Sequence, residues 1–364
     1  MPPIPMADST PASRSDLASR NDLASRSDLA SRSDAAILSV RELKTYFHLD
    51  EGVVRAVDGV SFDVRPGRTL GIVGESGCGK SITARSILGI VDRPGRVESG
   101  EIWLDAGGAR TDLARRAPDS AQLRAIRGKE IALIFQEPMA SFSHYYTVGN
   151  QIMEGIRQHS DATHDEAHAR AIELLRIVGV PQPERRVDEY PFQLSGGLRQ
   201  RVMIAMALAC DPRVLIADEP TTALDVTTQA QILDLLRGLQ QQRALALILI
   251  THDMGVIAEM ADDVVVMYLG RAVEKGSVDD IFHAPKHPYT RALLRSIPSI
   301  MAAPRSRLAT LGGSIPHPFN RPPGCPFHPR CPEFMPDVCD RAMPPALVET
   351  DGREVSCFLY GGRP

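Results

Sequence analysis

Apolar and polar positions change rhythm several times along this chain. From Ile37 to Val64 they alternate, the period of half-buried antiparallel strands, with Asp58-Gly59 and Pro66-Gly67 as turn signals. Leu70, Ile72 and Val73, then Ile131 to Phe135, Val214 to Ala217, and Leu245 to Ile250 are short runs of apolar residues. Runs of that length predict strands covered on both faces. Between Ala140 and Phe192 the spacing becomes helical, with Ala167, Ala171, Leu174, Leu175 and Val178 on one face. A second helical face holds Leu198, Val202, Ala205, Met206 and Ala209. Ahead of all this lie four hexads, ASRSDL, ASRNDL, ASRSDL and ASRSDA, from Ala12 to Ala35. Leu17, Leu23 and Leu29 recur every sixth residue, which advances about 240° per step on a helix and draws no stripe. Residues 1–36 are therefore expected to be a disordered tail.

The chemistry sits where the apolar runs end. After the run at Leu70 comes GESGCGKS, Gly74 to Ser81, the phosphate-loop pattern G-x-x-x-x-G-K-[ST]. The amides of Gly77, Cys78, Gly79 and Lys80, opening a helix, would cradle phosphates, with Gly74, Glu75 and Ser76 completing the loop. Lys80 would neutralise terminal phosphate charge and Ser81 would offer its hydroxyl to Mg²⁺. Asp218 and Glu219 close the next run, and two acids at the end of a buried strand are costly unless cation or water meets them. Asp218 suits Mg²⁺, and Glu219 suits the deprotonation of an attacking water. His252, after Ile250 and Thr251, is placed to sense the terminal phosphate, and Gln136, after Phe135, to touch metal or water. Ser195, Gly196 and Gly197 open the second helical face and make another anion site at a helix start. Two such sites in one chain suggest that the second serves a nucleotide held by another subunit.

These segments, in this order, resemble an ATP-binding cassette (ABC) ATPase from about Ile37 to the C-terminus. The resemblance implies an α/β phosphate-loop NTPase fold with a RecA-like core, an antiparallel β subdomain and a helical subdomain at about 140–193, within a cassette at 37–283. It implies that Phe47 stacks on adenine, with Tyr46 as the neighbouring alternative, and that Leu224 and Asp225 form the D-loop, although Thr222 stands where the family usually has Ser. It also implies head-to-tail closure of two cassettes around two ATP molecules, so that Ser195 to Gly197 meet the partner's nucleotide. The loop FSHYYTVGNQI departs from the family's usual Asn-Pro-containing form.

Residues 284–364 narrow the resemblance. His287-Pro288-Tyr289-Thr290, Ile315-Pro316 and then GCPFHPRCP are similar to the tails of ATPase subunits from peptide and nickel importers. That similarity implies an ATPase energising import of di- or oligopeptides, with nickel complexes or glycosides as alternative cargo. It also implies a second, related ATPase chain, two membrane permease subunits, and a solute-binding protein that acts indirectly. A soluble cassette ATPase acting on ribosomes is the alternative of another class. Such proteins typically fuse two cassettes and carry any iron–sulfur cluster at the N-terminus, unlike this chain.

Composition changes the picture in three places. A net charge of −4 shows no basic bias, so nucleic acid is not an expected partner. No apolar stretch approaches the ~18 residues of a membrane span, and the N-terminus lacks a signal-peptide pattern. A peripheral location on the cytoplasmic side of a membrane is therefore expected. Finally, Cys325, Cys331, Cys339 and Cys357 form C-x5-C-x7-C-x17-C, while ordinary packing accounts for Cys78 and Cys210. In the reducing cytosol such thiols suit Cys₄ metal ligation rather than disulfides. The short-spaced knuckles of structural zinc are missing, and Pro326 and Pro332 directly follow two of the cysteines, as in some iron–sulfur sites. Zinc and unligated thiols remain open on spacing alone; the family resemblance implies a [4Fe–4S] cluster.

Overall fold

The computed structural model describes residues 35–297 and 311–361, so the hexads, all but their final Ala35, lie outside the described residues. In chain order the strands are β1 (Leu38–Leu49), β2 (Gly52–Val64), β3 (Thr69–Val73), β4 (Gly95–Ala106), β5 (Ala109–Asp112) and β6 (Ile131–Ile134). They continue as β7 (Val214–Asp218), β8 (Ala246–Thr251), β9 (Asp263–Tyr268), β10 (Arg271–Ser277), β11 (Val348–Thr350) and β12 (Arg353–Val355). One sheet has the order β2-β1-β4-β5 and is antiparallel throughout. The other has the order β11-β12-β10-β9-β3-β8-β7-β6, parallel from β9 to β6 and antiparallel beyond β9.

The apolar runs are strands of the parallel sheet because each of its faces meets a different core. Leu215, Ala217, Leu247 and Leu249 belong to the core shared with the helices, whereas Val214, Ile216, Ile248 and Ile250 belong to the core shared with the antiparallel sheet. With both faces covered, every residue of β7 and β8 is buried, and alternation disappears from the sequence.

Between β6 and β7 the expected helices are present. Thr147 caps the helix Val148–His159, and Thr163 forms a capping box with Glu166 at the start of His164–Ile177. Ala167, Ala171, Leu174, Leu175 and Val178 are all fully buried, at ~1.5–3 kcal/mol for each large apolar side chain. Two details depart from the sequence reading. The helix Gly196–Ala207 ends before Ala209, and the antiparallel sheet takes two further strands, β4 and β5, that the early alternation does not announce. No described helix is long and apolar enough to cross a membrane.

Candidate active site

The phosphate loop follows β3, Gln136 follows β6, Asp218 ends β7 with Glu219 next in the chain, and His252 follows β8. All therefore lie at the carboxyl ends of neighbouring parallel strands, where open α/β sheets bind ligands. A cavity of about 590 Å³ opens there, lined among others by Ser76, Gly77, Gly79, Lys80, Ser81, Gln136 and Glu219. The loop is tightly seated. Gly79 has φ +100°, and a Cβ there would stand 2.1 Å from the Ala56 carbonyl oxygen, so no other residue fits without moving backbone. Gly79 caps the helix Lys80–Leu88 by backbone alone. The first amides of that helix have no partner within it, the feature that makes helix starts attractive to anions. Lys80 is buried, and its Nζ donates to the carbonyls of Gly74 and Glu75 at 2.8 and 3.2 Å.

Ser81 Oγ donates to Asp218 Oδ1 at 3.0 Å. Burial pushes the Asp218 carboxyl up from its ordinary range; Ser81 and Lys80 oppose that rise and Glu219 adds to it. A hydroxyl beside a buried carboxylate with so unfavourable a charge is a donor set that fits Mg²⁺.

Glu219 is the hub. Its backbone takes φ +48°, and its carboxylate accepts from Gln136 Nε2 at 2.9 Å and Thr222 Oγ1 at 3.0 Å. His252 Nδ1 lies 3.2 Å from the other carboxylate oxygen. Three side chains from three loops thus fix a buried acid at the cavity wall. Thr222, noted in the sequence only as a departure from the usual Ser, performs the orienting hydrogen bond.

Ser195, Gly196 and Gly197 do not line the cavity. Ser195 caps its helix without a side-chain hydrogen bond, and a Cβ on Gly197 would stand 2.8 Å from Thr228 Cγ2. Asp225 caps the helix Val226–Arg243, accepting from Thr228 N at 3.0 Å, and it too is absent from the cavity lining. Leu224 lies against Gly196, about 4.0 Å from where a Cβ would be. The helix start at Ser195 to Gly197 is thus packed against Leu224 and Thr228 and lies apart from the cavity lining.

Phe47 is not brought to the cavity. Its ring lies against Gly95 of β4, where a Cβ would meet it at 2.5 Å. Tyr46 lies outside the lining as well; its hydroxyl donates to Asp58 at 2.8 Å, and burial together with Asp58 pushes its pKa up to about 12.

The far wall comes from residues the sequence did not single out: Val53 to Ala56 on β2, and the segment from His317 to Gly324. The same C-terminal region grips the phosphate loop. Arg330 pairs with both Glu75 carboxylate oxygens at 2.7 and 3.0 Å, and the Tyr289 hydroxyl accepts from Glu75 N at 2.9 Å. Tyr289 belongs to the HPYT tetrad, so its position was marked by the sequence, though its contact was not.

Cys325, Cys331, Cys339 and Cys357 share one neighbourhood. Burial pushes Cys325 and Cys331 up to about 11, and the other cysteines add to the rise. Burial also raises Cys357, with Cys339 contributing. Crowded thiols that resist ionisation without a cation are the donor chemistry of a soft metal. As placed, no set of three or more His, Cys, Asp or Glu among the described residues stands in position to hold a metal ion.

The chain belongs to the ABC ATPase family: a family model described as "ABC transporter" matches residues 57–222. A second, "Oligopeptide/dipeptide transporter, C-terminal region", matches residues 273–339. Among curated relatives it is 50% identical over 333 residues to the dipeptide transport ATP-binding protein DppD of Escherichia coli, covering 90% of this chain and 99% of that one. It is 48% identical to the oligopeptide transport ATP-binding protein AppD of Bacillus subtilis, covering 89% and 97%. Among solved structures, the dimeric bacterial ABC transporter cassette MJ0796 matches with a TM-score of 0.59 and 26% identity, covering 66% of this chain and 98% of that one. The same cassette in a post-hydrolysis state, bound to ADP and Pi, matches with a TM-score of 0.58.

Proposed function

We propose that this chain is the ATP-hydrolysing subunit of a membrane importer for di- or oligopeptides. The observation that carries the chemistry is the meeting of Gln136, Thr222 and His252 on the Glu219 carboxylate beside the phosphate loop. The cargo reading rests on the matched C-terminal region and on relatives named for dipeptide and oligopeptide transport.

In the proposed reaction the loop amides and Lys80 hold the triphosphate of ATP, and Lys80 exchanges its carbonyl partners for phosphate oxygens. Ser81 and Asp218 would hold Mg²⁺, which would supply positive charge against the phosphates. Glu219 takes a proton from the attacking water, Gln136 and Thr222 keep its carboxylate in place, and His252 senses the terminal phosphate. ADP and phosphate leave.

Ser195 to Gly197 serve the nucleotide of a second cassette, which we assign to a related but different ATPase chain. Support comes from their separation from this chain's own cavity. Two permease subunits would dock on the helical region, where Tyr145 and Tyr146 are exposed at 89% and 58% and Phe192 at 55%. The chain would then sit peripherally on the cytoplasmic face, with an extracytoplasmic solute-binding protein selecting cargo. The domain boundaries at residues 36, 283 and about 140–193 belong to this proposal, as does a [4Fe–4S] cluster on the four thiols, with zinc as the alternative. Reconstitution with the permease pair and binding protein in proteoliposomes tests it. Peptide accumulation coupled to ATP hydrolysis is expected; uptake of nickel complexes or glycosides without peptide would overturn the cargo, and recovery on ribosomes would overturn the transport reading.

A further inference from the structure

No step of the reaction uses the tetrad His287-Pro288-Tyr289-Thr290, yet all four of its residues are buried. Its first half is an anchor. The backbone amides of Lys286 and His287 donate to the two carboxylate oxygens of Glu274, a fully buried residue of β10, at 2.7 and 2.9 Å. His287 then caps the helix Pro288–Arg295, its Nδ1 accepting from Tyr289 N, and Pro288 takes the first helical position, where no amide is needed. The Tyr289 ring packs on Tyr268, the last residue of β9, and on Phe327, with centroids 4.8 and 5.4 Å away. Held in this way, its hydroxyl accepts from Glu75 N at 2.9 Å. Burial pushes the phenol well above its ordinary range, so it stays a neutral hydroxyl.

The Glu75 amide shares one peptide unit with the Gly74 carbonyl, which accepts from Lys80 Nζ at 2.8 Å. A trans peptide is planar, so its N–H and C=O point in opposite directions and cannot turn independently. Tyr289 holds one end of that unit and Lys80 the other. Glu75 extends the hold, because its own carbonyl accepts from Lys80 at 3.2 Å and its carboxylate pairs with Arg330. Gly74 in turn lies close against β9, where a Cβ would stand 2.2 Å from the Met267 carbonyl oxygen. Without the hydroxyl, the Glu75 N–H loses its partner. Rotation of the 74–75 unit toward another acceptor would carry the Gly74 carbonyl away from Lys80.

We propose that Tyr289 is a positioning residue of the nucleotide site: through the peptide unit of Gly74 and Glu75 it fixes the carbonyl that steers Lys80, and so aligns the ammonium for phosphate before ATP arrives. The inference rests on the ATP reading of the cavity. It gives the tetrad a task in holding nucleotide and none in choosing cargo.

The test measures equilibrium binding of ATP with Mg²⁺ to the full chain, for the parent, Tyr289→Phe, Lys80→Ala and the double variant. Phenylalanine keeps the ring and its packing and removes only the oxygen. Tyr289→Phe is expected to weaken ATP about 3- to 10-fold, the worth of one hydrogen bond. In the Lys80→Ala background the same change is expected to cost less than about twofold, because the group it aligns is gone. A merely structural role would cost the same factor in both backgrounds. Hydrogen exchange without nucleotide is the second readout: the Glu75 amide is expected to exchange at least about tenfold faster in Tyr289→Phe. Thermal midpoints within about 4 °C of the parent report that the variants are folded. Parent-like ATP affinity in Tyr289→Phe, equal losses in both backgrounds, or a Glu75 amide that exchanges at the parent rate would each overturn the proposal and leave the ATP site standing. A parent that binds no ATP would overturn the nucleotide reading itself.

Discussion

Arg330 and Glu75 are 255 residues apart in sequence and joined by two hydrogen bonds, with the arginine side chain only 3% exposed. Burial would lower the Arg330 pKa, but Glu75 and Tyr268 outweigh it and hold the guanidinium above its ordinary value, so the cation is permanent. Removing one partner leaves the other charged and poorly solvated. Arg330→Met is expected to lower unfolding free energy by about 1–3 kcal/mol and to weaken ATP binding, since Glu75 belongs to the phosphate loop. Glu75→Gln with Arg330→Met should cost less than the two single changes summed. Strict additivity in urea unfolding would show that the pair does not couple the two segments.

Glu219→Gln keeps the side-chain shape and one acceptor oxygen but cannot take a proton. Turnover is expected to fall by about 10²–10⁴, while ATP affinity holds. Lys80→Ala is expected to act the other way, losing affinity first. Steady-state hydrolysis beside equilibrium ATP binding separates the two, and parent-rate hydrolysis by Glu219→Gln would remove the acid from its assigned role.

His287 is fully enclosed and its Nδ1 accepts from Tyr289 N at 3.1 Å, so the ring must remain neutral. Burial, with Arg291 nearby, pushes its pKa from 6.5 down to about 3. The unfolded chain consequently takes up this proton first as pH falls. The contribution to stability is complete above about 6.5 and is lost progressively toward about 3, at up to roughly 1.4 kcal/mol per pH unit. His287→Asn retains an acceptor for the Tyr289 amide and abolishes the titration. Urea midpoints between pH 7 and pH 5 should therefore slope less in the variant than in the parent.

The cysteine group gives a colour test. Protein purified without oxygen is expected to be brown, to hold about four iron per chain, and to lose both on Cys331→Ser. Colourless protein carrying one zinc would replace the cluster by the alternative metal and leave hydrolysis untouched.

Much of this site was legible because the backbone puts it there. Asp218, Glu219 and His252 follow strands buried on both faces, and such strands write themselves as unbroken apolar runs. Lys80 and Ser81 follow a glycine pattern with no other use. Neither Phe47 nor Tyr46 lines the cavity, and the alternation that makes β1 recognisable does not say which of two neighbouring aromatics reaches a ligand. Phe319, Arg321 and Arg330 escaped for another reason. Single side chains from an irregular, proline-rich segment make their contacts, and such a segment has no period to read.

The hairpin β11–β12 has a consequence for life among many copies of the same protein. It pairs onto β10 through Glu274 with Val355 and Lys275 with Glu354, so β10 is an interior strand. The sheet then ends in β11, three residues long, on one side and β6, four residues long, on the other. Margins so brief expose little unpaired backbone for a neighbour's strand to extend. At these two margins of the larger sheet the risk of strand-to-strand adhesion between copies is therefore low, a protection that the hairpin Val348–Val355 supplies to strands encoded far upstream.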